Sequence, residues 1–181
     1  AGGWVGDLLR PHGLTLPLQV VRCQENYFDA RPAPEFAAGR LPAFIAYVQD
    51  EFGLPVYGIP SLEDEGVKVA WHGGPPLAHA DEAKSEPDAE VSERARAFSR
   101  RYLPGADAPL AASRVCLYTM TPDEHFIVDT LPGQPQVVIG ACCSGHAFKF
   151  STLIGSILVD LALDGRTTHE IAPFALSRFG G

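Results

Sequence analysis

At 181 residues and 19.4 kDa, with 46% hydrophobic residues, the chain suits one domain with a sizeable core. A net charge of −8 and a pI near 5.1 deny it the basic field that phosphate backbones or anionic lipids attract, so nucleic acid and membrane surfaces are poor partners. Eighteen glycines and 16 prolines argue against a helical bundle.

No stretch approaches the ~20 continuous apolar residues of a membrane span, and no basic segment followed by an apolar core opens the chain. A cytoplasmic address is the expectation. Cys23, Cys116, Cys142 and Cys143 form no CxxC pair, so no zinc framework is present, and Cys142 and Cys143 could bridge each other only with strain. Reduced thiols and no metal are expected.

In chain order, LPLQVVRCQENYF (16–28) mixes an apolar run with alternation and predicts a strand, as does AFIAYVQD (43–50). VYGIP (56–60), the acidic turn SLEDEG (61–66) and GVKVAWHG (66–73) predict a hairpin. Alternation puts Val67, Val69 and Trp71 on one face of its second strand and Lys68, Ala70 and His72 on the other. Residues 75–88 are polar and proline-rich, a loop. Val91, Ala95, Phe98 and Tyr102 then recur at helical steps, giving an amphipathic helix near 90–103 that stops before Pro104-Gly105.

RVCLYTMT, HFIVDTL and QVVIGACC are three β-rich runs separated by turn residues, for which an antiparallel meander is the simplest arrangement. After SGH, the stretch holding Phe150, Leu153, Ile154, Ile157, Leu158 and Leu161 has helical spacing, with Gly165 as its stop. The expected fold is therefore α+β: a mixed, largely antiparallel sheet with a few helices.

Four places could carry chemistry, and each also has a structural reading. Cys116 is either a small hydrophobe in a strand or a nucleophile that needs a base or cation beside it. Lys68 and His72 share a face that is either wet or set beside a cofactor, where an ammonium would stabilise developing negative charge. Ser144-Gly145-His146 is either a helix cap formed by Ser144 or a set of backbone donors facing an anion. Lys149 follows, in what the spacing makes the helix's first turn, where a cation opposes the helix dipole and an anionic ligand would explain it. Tyr57 and Tyr118 fit a core or a site. His12, His79, His125 and His169 read as surface or structural residues.

Taken together, CLYTMTPDEHFIVDTLPG, SGHAFKF, VYGIPSLEDEGVKVAWH and the tail PFALSRF resemble the C-terminal, substrate-binding half of the monomeric sarcosine oxidase and N-methyltryptophan oxidase family of flavoenzymes. The resemblance implies a two-domain protein with a Rossmann-like FAD-binding part and a substrate domain whose sheet covers the flavin. It implies oxidation of N-methyl amino acids to imines, with O2 reduced to hydrogen peroxide and formaldehyde released on hydrolysis. By the resemblance, Cys116 is the thioether anchor for FAD at the ring's 8α carbon, Lys68 promotes the reaction with oxygen, and Lys149 binds the substrate carboxylate. Tyr57, His72, Tyr118, Gly145 and His146 line the substrate cavity, the last two beside the cofactor.

The sequence departs from that pattern at Ala147, where the family has glycine, and at Cys142-Cys143. It contains no G-x-G-x-x-G for the FAD pyrophosphate, and an arginine that would share the substrate carboxylate with Lys149 is expected to be absent. Residues 1–15 resemble the end of the FAD-binding part, 16–143 the sheet-rich substrate domain, and 144–181 its C-terminal helix and tail. The chain is thus expected to be a piece of a longer protein, colourless and inactive alone, that completes itself with the missing N-terminal FAD-binding domain. Its bare docking face offers a surface for dimerisation.

Two other readings stay open. One is a non-catalytic, stand-alone module that binds a small carboxylate or a partner flavoprotein chain. The other is a thiol enzyme using Cys116 or Cys143 with His146, for which nothing fixes a third group. The PFALSRF ending leans towards N-methyltryptophan over sarcosine, pipecolate or sugar-amino-acid substrates.

Overall fold

The computed structural model describes residues 1–30, 34–62, 65–141 and 143–179. Two compact units divide the chain. The first holds Ala1–Val21, Leu77–Asp81 and Leu117–Gly181, and the second holds Arg22–Pro76 and Glu82–Cys116. The architecture is α+β, with antiparallel pairing and few helices.

Among the described residues eight strands are formed: β1 (Gln19–Phe28), β2 (Phe44–Ala46), β3 (Val56–Ile59), β4 (Val67–Trp71), β5 (Pro76–Leu77), β6 (Leu110–Met120), β7 (Ile127–Leu131) and β8 (Gln134–Ala141). The larger sheet runs β2-β3-β4-β1-β5, with β6 also on β1, while β7 and β8 pair by themselves. The helices are α1 (Val5–Leu9), α2 (Gln49–Phe52), α3 (Ala89–Tyr102) and α4 (Ser151–Asp164).

In the second unit, the expected hairpin is β3–β4, in the register Tyr57↔Ala70 and Ile59↔Lys68. Residues 63 and 64 of its turn lie outside the described residues. Strand β1 adds to β4 with Glu25↔Ala70 and Tyr27↔Lys68. Because opposed residues share a face, Phe28, Val67, Val69 and Trp71 lie together under α3, packed against Ala95 and Phe98. Phe98 is only 1% exposed, so truncation to alanine costs about 3–5 kcal/mol. Asp88 caps α3 by accepting from the Glu90 N–H at 2.8 Å. Buried Gln24 and Asn26 on this face are satisfied by Ser92 of α3.

The expected strand over 43–50 covers only Phe44–Ala46. The chain then coils into α2, where Val48 O accepts from the N–H groups of Glu51 and Phe52 and Phe52 enters the core. Burial of one large ring outweighs continued pairing there. The 75–88 loop contains the short β5 and a 3-10 turn, Ala80–Glu82.

The three-strand meander expected over 114–143 is not formed, because β6 joins β1 instead of β7. Between β6 and β7, Pro122 contributes no N–H and Glu124 takes a left-handed φ of 59°. Thr121 Oγ1 closes this turn on His125 O at 2.8 Å. The eleven-residue β6 finds its ladder on the ten-residue β1.

In the first unit, the β7–β8 hairpin packs Ile127, Leu131 and Ile139 against Val5, Leu9 and Leu176. It sets Val128 against Ile157 and Leu161 of α4. Gly165 ends α4 at φ 67°, its N–H returning to Leu161 O.

Candidate functional site

Alternation along β1 sends Cys23, Glu25 and Tyr27 to the sheet face opposite α3, the face that also takes Tyr57 from β3 and Lys68 and Ala70 from β4. Glu25 is the hub of this face. Its Oε1 pairs with the Lys68 ammonium and lies 3.5 Å from the Tyr57 hydroxyl, while its Oε2 accepts from the Tyr27 hydroxyl at 2.8 Å. The Lys68 and Glu25 side chains keep only 14% and 20% of their exposure, so the pair is largely desolvated. The Lys68 ammonium also sits 5.3 Å from the Tyr57 ring centre, a cation–π contact. The His72 ring meets Tyr57 edge-on with centres 6.5 Å apart.

Cys116, on β6, is a free thiol of intermediate exposure. The neighbouring Cys23 thiol lowers its pKa against burial and the Glu25 charge, which raise it, and Lys68 and Arg22 add to the lowering. Cys23 is pushed the opposite way, by Cys116 and by burial. The structure therefore brings Tyr57, Lys68, His72 and Cys116 into the second unit, with a thiol biased towards thiolate and a held ammonium. That combination supports nucleophilic sulfur chemistry and stabilisation of forming negative charge.

Tyr118, Gly145, His146 and Lys149 belong to the first unit. Tyr118 is half-buried on β6. Ser144 does not cap a helix: it takes φ 41°, and its Oγ lies 3.4 Å from the Thr121 N–H and hydroxyl. Its N–H donates to Thr119 O, so it ties the segment after β8 to β6, while α4 begins seven residues on. Gly145 follows with φ 77°. The His146 N–H donates to Cys143 O at 2.8 Å, and its Nε2 lies 3.0 Å from Glu124 O.

Lys149 lies in a 3-10 turn, Phe148–Phe150, ahead of α4 and not in its first turn. The helix starts later because Phe150 takes the N-cap position. The exposed Lys149 ammonium stands 5.4 Å from the Phe150 ring centre, with no carboxylate partner among the described residues. Arg178 of the tail donates to Asp123 at 2.7 Å and holds its carboxyl far below the usual range. Cys142 lies outside the described residues, and Cys143 is an exposed free thiol.

Sequence reasoning passed over Glu25, Cys23 and Tyr27, although the alternation within VVRCQENYF already set all three on one strand face. What the sequence lacked was the strand order that lays that face beside Lys68. Among the described residues, no group of three or more His, Cys, Asp or Glu is arranged to hold a metal, and no helix is long and apolar enough to cross a membrane.

Comparison with known proteins gives concordant results. The family described as FAD dependent oxidoreductase matches residues 1–161. The chain is 37% identical over 179 residues to the monomeric sarcosine oxidase of Bacillus sp. (strain NS-129), covering 98% of this chain and 46% of the relative. It is 36% identical to the human peroxisomal sarcosine oxidase and 37% identical to the N-methyl-L-tryptophan oxidase of Salmonella dublin, each alignment covering 99% of this chain and 46% of the relative. The chain thus spans about half the length of the curated relatives it matches.

Among solved structures, it is similar to NikD, described as an unusual amino acid oxidase essential for nikkomycin biosynthesis, with a TM-score of 0.81 and 26% identity over 97% of this chain and 46% of that one. The fold is also that of glycine oxidase from Geobacillus kaustophilus, with a TM-score of 0.74 and 19% identity over 100% of this chain and 45% of that one.

Proposed function

Since the chain belongs to the family of FAD-dependent oxidoreductases, we propose that it is the substrate-binding half of an amine oxidase that acts on N-methyl amino acids and returns O2 as hydrogen peroxide. The observation that carries this reading is the sheet face of the second unit, where Glu25 fixes the Lys68 ammonium and the thiol of Cys116 is biased towards thiolate.

The residues present fit one end of FAD. A half-buried, activated thiol suits a covalent anchor, and a desolvated ammonium suits a redox ring that reacts with oxygen. For the pyrophosphate, the sequence offers no G-x-G-x-x-G. That task falls to the flavin-binding half that this reading assigns to the complete protein. Bound FAD would supply the two-electron oxidation, drawing on the amine and delivering to oxygen.

The chain's own residues then have separate tasks. Cys116 holds the cofactor through its sulfur. Lys68, kept charged and in place by Glu25, stabilises negative charge developing on O2. Lys149, free of any carboxylate among the described residues, takes the carboxylate of the amino acid. Tyr57 and His72 of the second unit and Tyr118 of the first are each assigned to substrate contact in this reading, and Gly145 and His146 to the cofactor. Residues 1–15 form the end of the flavin-binding part in this reading. Phe148, Val159 and Leu163, exposed at 93%, 55% and 79%, offer the apolar surface for that partner, or for a second copy when the partner is missing.

The test is to supply this chain with the flavin-binding half and record peroxide formation with sarcosine and with N-methyltryptophan. Turnover of either, lost in Lys149→Gln at low substrate and recovered at high substrate, agrees with the reading. Oxidation of primary amines alone overturns it.

A further inference from the structure

The sulfur beside the candidate anchor has no part in the function described above. On the paired strands β1 and β6, the hydroxyl of Ser113 donates to Asn26 Oδ1 at 3.1 Å, and the Arg114 guanidinium stands 4.9 Å from the Tyr27 ring centre. The Asp29 N–H donates to Pro109 O at 2.9 Å, so from that contact to the Ser113–Asn26 bond the numbers rise into β6 while they fall along β1. That is an antiparallel run, and counted three residues on from the Ser113–Asn26 contact it sets Cys116 across from Cys23. In such a pair the Cα atoms are about 4.5–5.5 Å apart, inside the window of about 4.4–6.8 Å that a disulfide spans.

The two thiols differ in access. Cys23 is 2% exposed, and Cys116 is half-buried. A small oxidant therefore reaches only Cys116, and Cys23 can act only on what has already formed there.

We propose that Cys23 and Cys116 form a dithiol that closes to an intramolecular disulfide when the chain meets a low-molecular-weight disulfide, with Cys116 attacking first and Cys23 resolving. In the first exchange, the Cys116 thiolate attacks one sulfur of the small disulfide, forming a mixed disulfide and releasing one thiolate. In the second, Cys23 loses its proton and attacks Cys116 Sγ, releasing the other thiolate. Two cysteine thiols are oxidised, one small disulfide is reduced to two thiols, and the two protons lost by the cysteines pass to those thiols. The lowered pKa of Cys116 favours it as the attacking sulfur.

The bearing on function rests on the anchor reading above. A Cys23–Cys116 disulfide leaves no thiol at position 116 for a carbon–sulfur bond to flavin, so oxidation would protect the anchor while barring cofactor attachment. The thiol chemistry itself needs no flavin. Failure of the disulfide therefore leaves the anchor reading standing, and failure of the anchor leaves the disulfide standing.

The experiment uses this chain in a Cys142→Ser/Cys143→Ser background, treated with oxidised glutathione near neutral pH, quenched in acid and examined by intact mass and peptide mapping. The expected product is lighter than the starting chain by two hydrogens, with the Cys23 and Cys116 peptides joined. Adding Cys23→Ser should leave glutathione on Cys116, with circular dichroism confirming that this variant is folded. Stable glutathione on Cys116 with Cys23 still alkylatable after denaturation overturns the proposal, as does a chain with both thiols unmodified. Both of those readings come from the background chain alone, so they hold even if the serine variant does not fold.

Discussion

Lys68 of β4 pairs with Glu25 of β1 across adjacent strands, one step diagonal to the directly opposed pair Tyr27↔Lys68. The diagonal leaves Glu25's second oxygen to the Tyr27 hydroxyl, so one carboxylate holds the ammonium on the sheet face opposite α3.

Replacing Lys68 with methionine leaves the Glu25 carboxylate, 20% exposed, without its cation. The expected loss is about 1–3 kcal/mol, below the cost at a fully buried pair. Glu25→Gln should cost a similar amount, and the double variant less than the sum of the two. Urea midpoints over the double-mutant cycle check this, and additive losses would mean that the pair is not coupled.

Burial, helped by the hydrogen bond to Glu25, pushes the Tyr27 hydroxyl up to about 12. In the unfolded chain it titrates near 10. Between these values the folded state keeps the proton and the unfolded state loses it, so this contribution to stability is complete below pH ~10 and falls away as the pH approaches ~12. Tyr27→Phe should show a shallower decline in urea midpoint across that window than the wild type.

Asp123 behaves with the opposite sign. Arg178 depresses its folded pKa, so the stabilisation is present above the unfolded value of about 3.9 and disappears only as pH falls through the lower folded value. Asp123→Asn should free the Arg178 turn at neutral pH. The measurement is faster amide exchange over Leu176–Phe179, with exchange in α3 unchanged.

Gly74 leaves no room for a side chain, since an added Cβ would lie 1.9 Å from Arg22 O. Gly74→Ala must push β1 away just beside Cys23, at a cost of about 1–3 kcal/mol or more. Calorimetry should show a lowered Tm, and an unchanged Tm would contradict the close approach.

Cys116 should alkylate with a pH midpoint below that of an unperturbed thiol. Lys68→Met removes a nearby positive charge and should move the midpoint up. Iodoacetamide labelling followed by peptide mass reads Cys116 separately from the other thiols.

The legible parts of this protein were those governed by local periodicity. Val67, Val69 and Trp71 alternate and are buried, and the four-three-four stripe from Val91 to Tyr102 lies on α3. Partner choice was not legible, because β6 could ladder with β7 or with β1 on the same side-chain pattern and only the assembled sheet decides. The site was half legible for the same reason. Cys116 and Lys68 stood out through a family resemblance, whereas Glu25 and Cys23 gain meaning only from strands distant in sequence. Ser144 misled because a serine ahead of an apolar helix reads as a cap, while its hydroxyl is engaged by Thr121.

The most direct test of the central claim is the denaturing intact mass of this chain after expression together with the flavin-binding half and a flavin supply. The account predicts one FAD retained after denaturation, mapped to the peptide of Cys116 and lost in Cys116→Ala. Flavin retained on a different residue, or retained in full by the alanine variant, would contradict it.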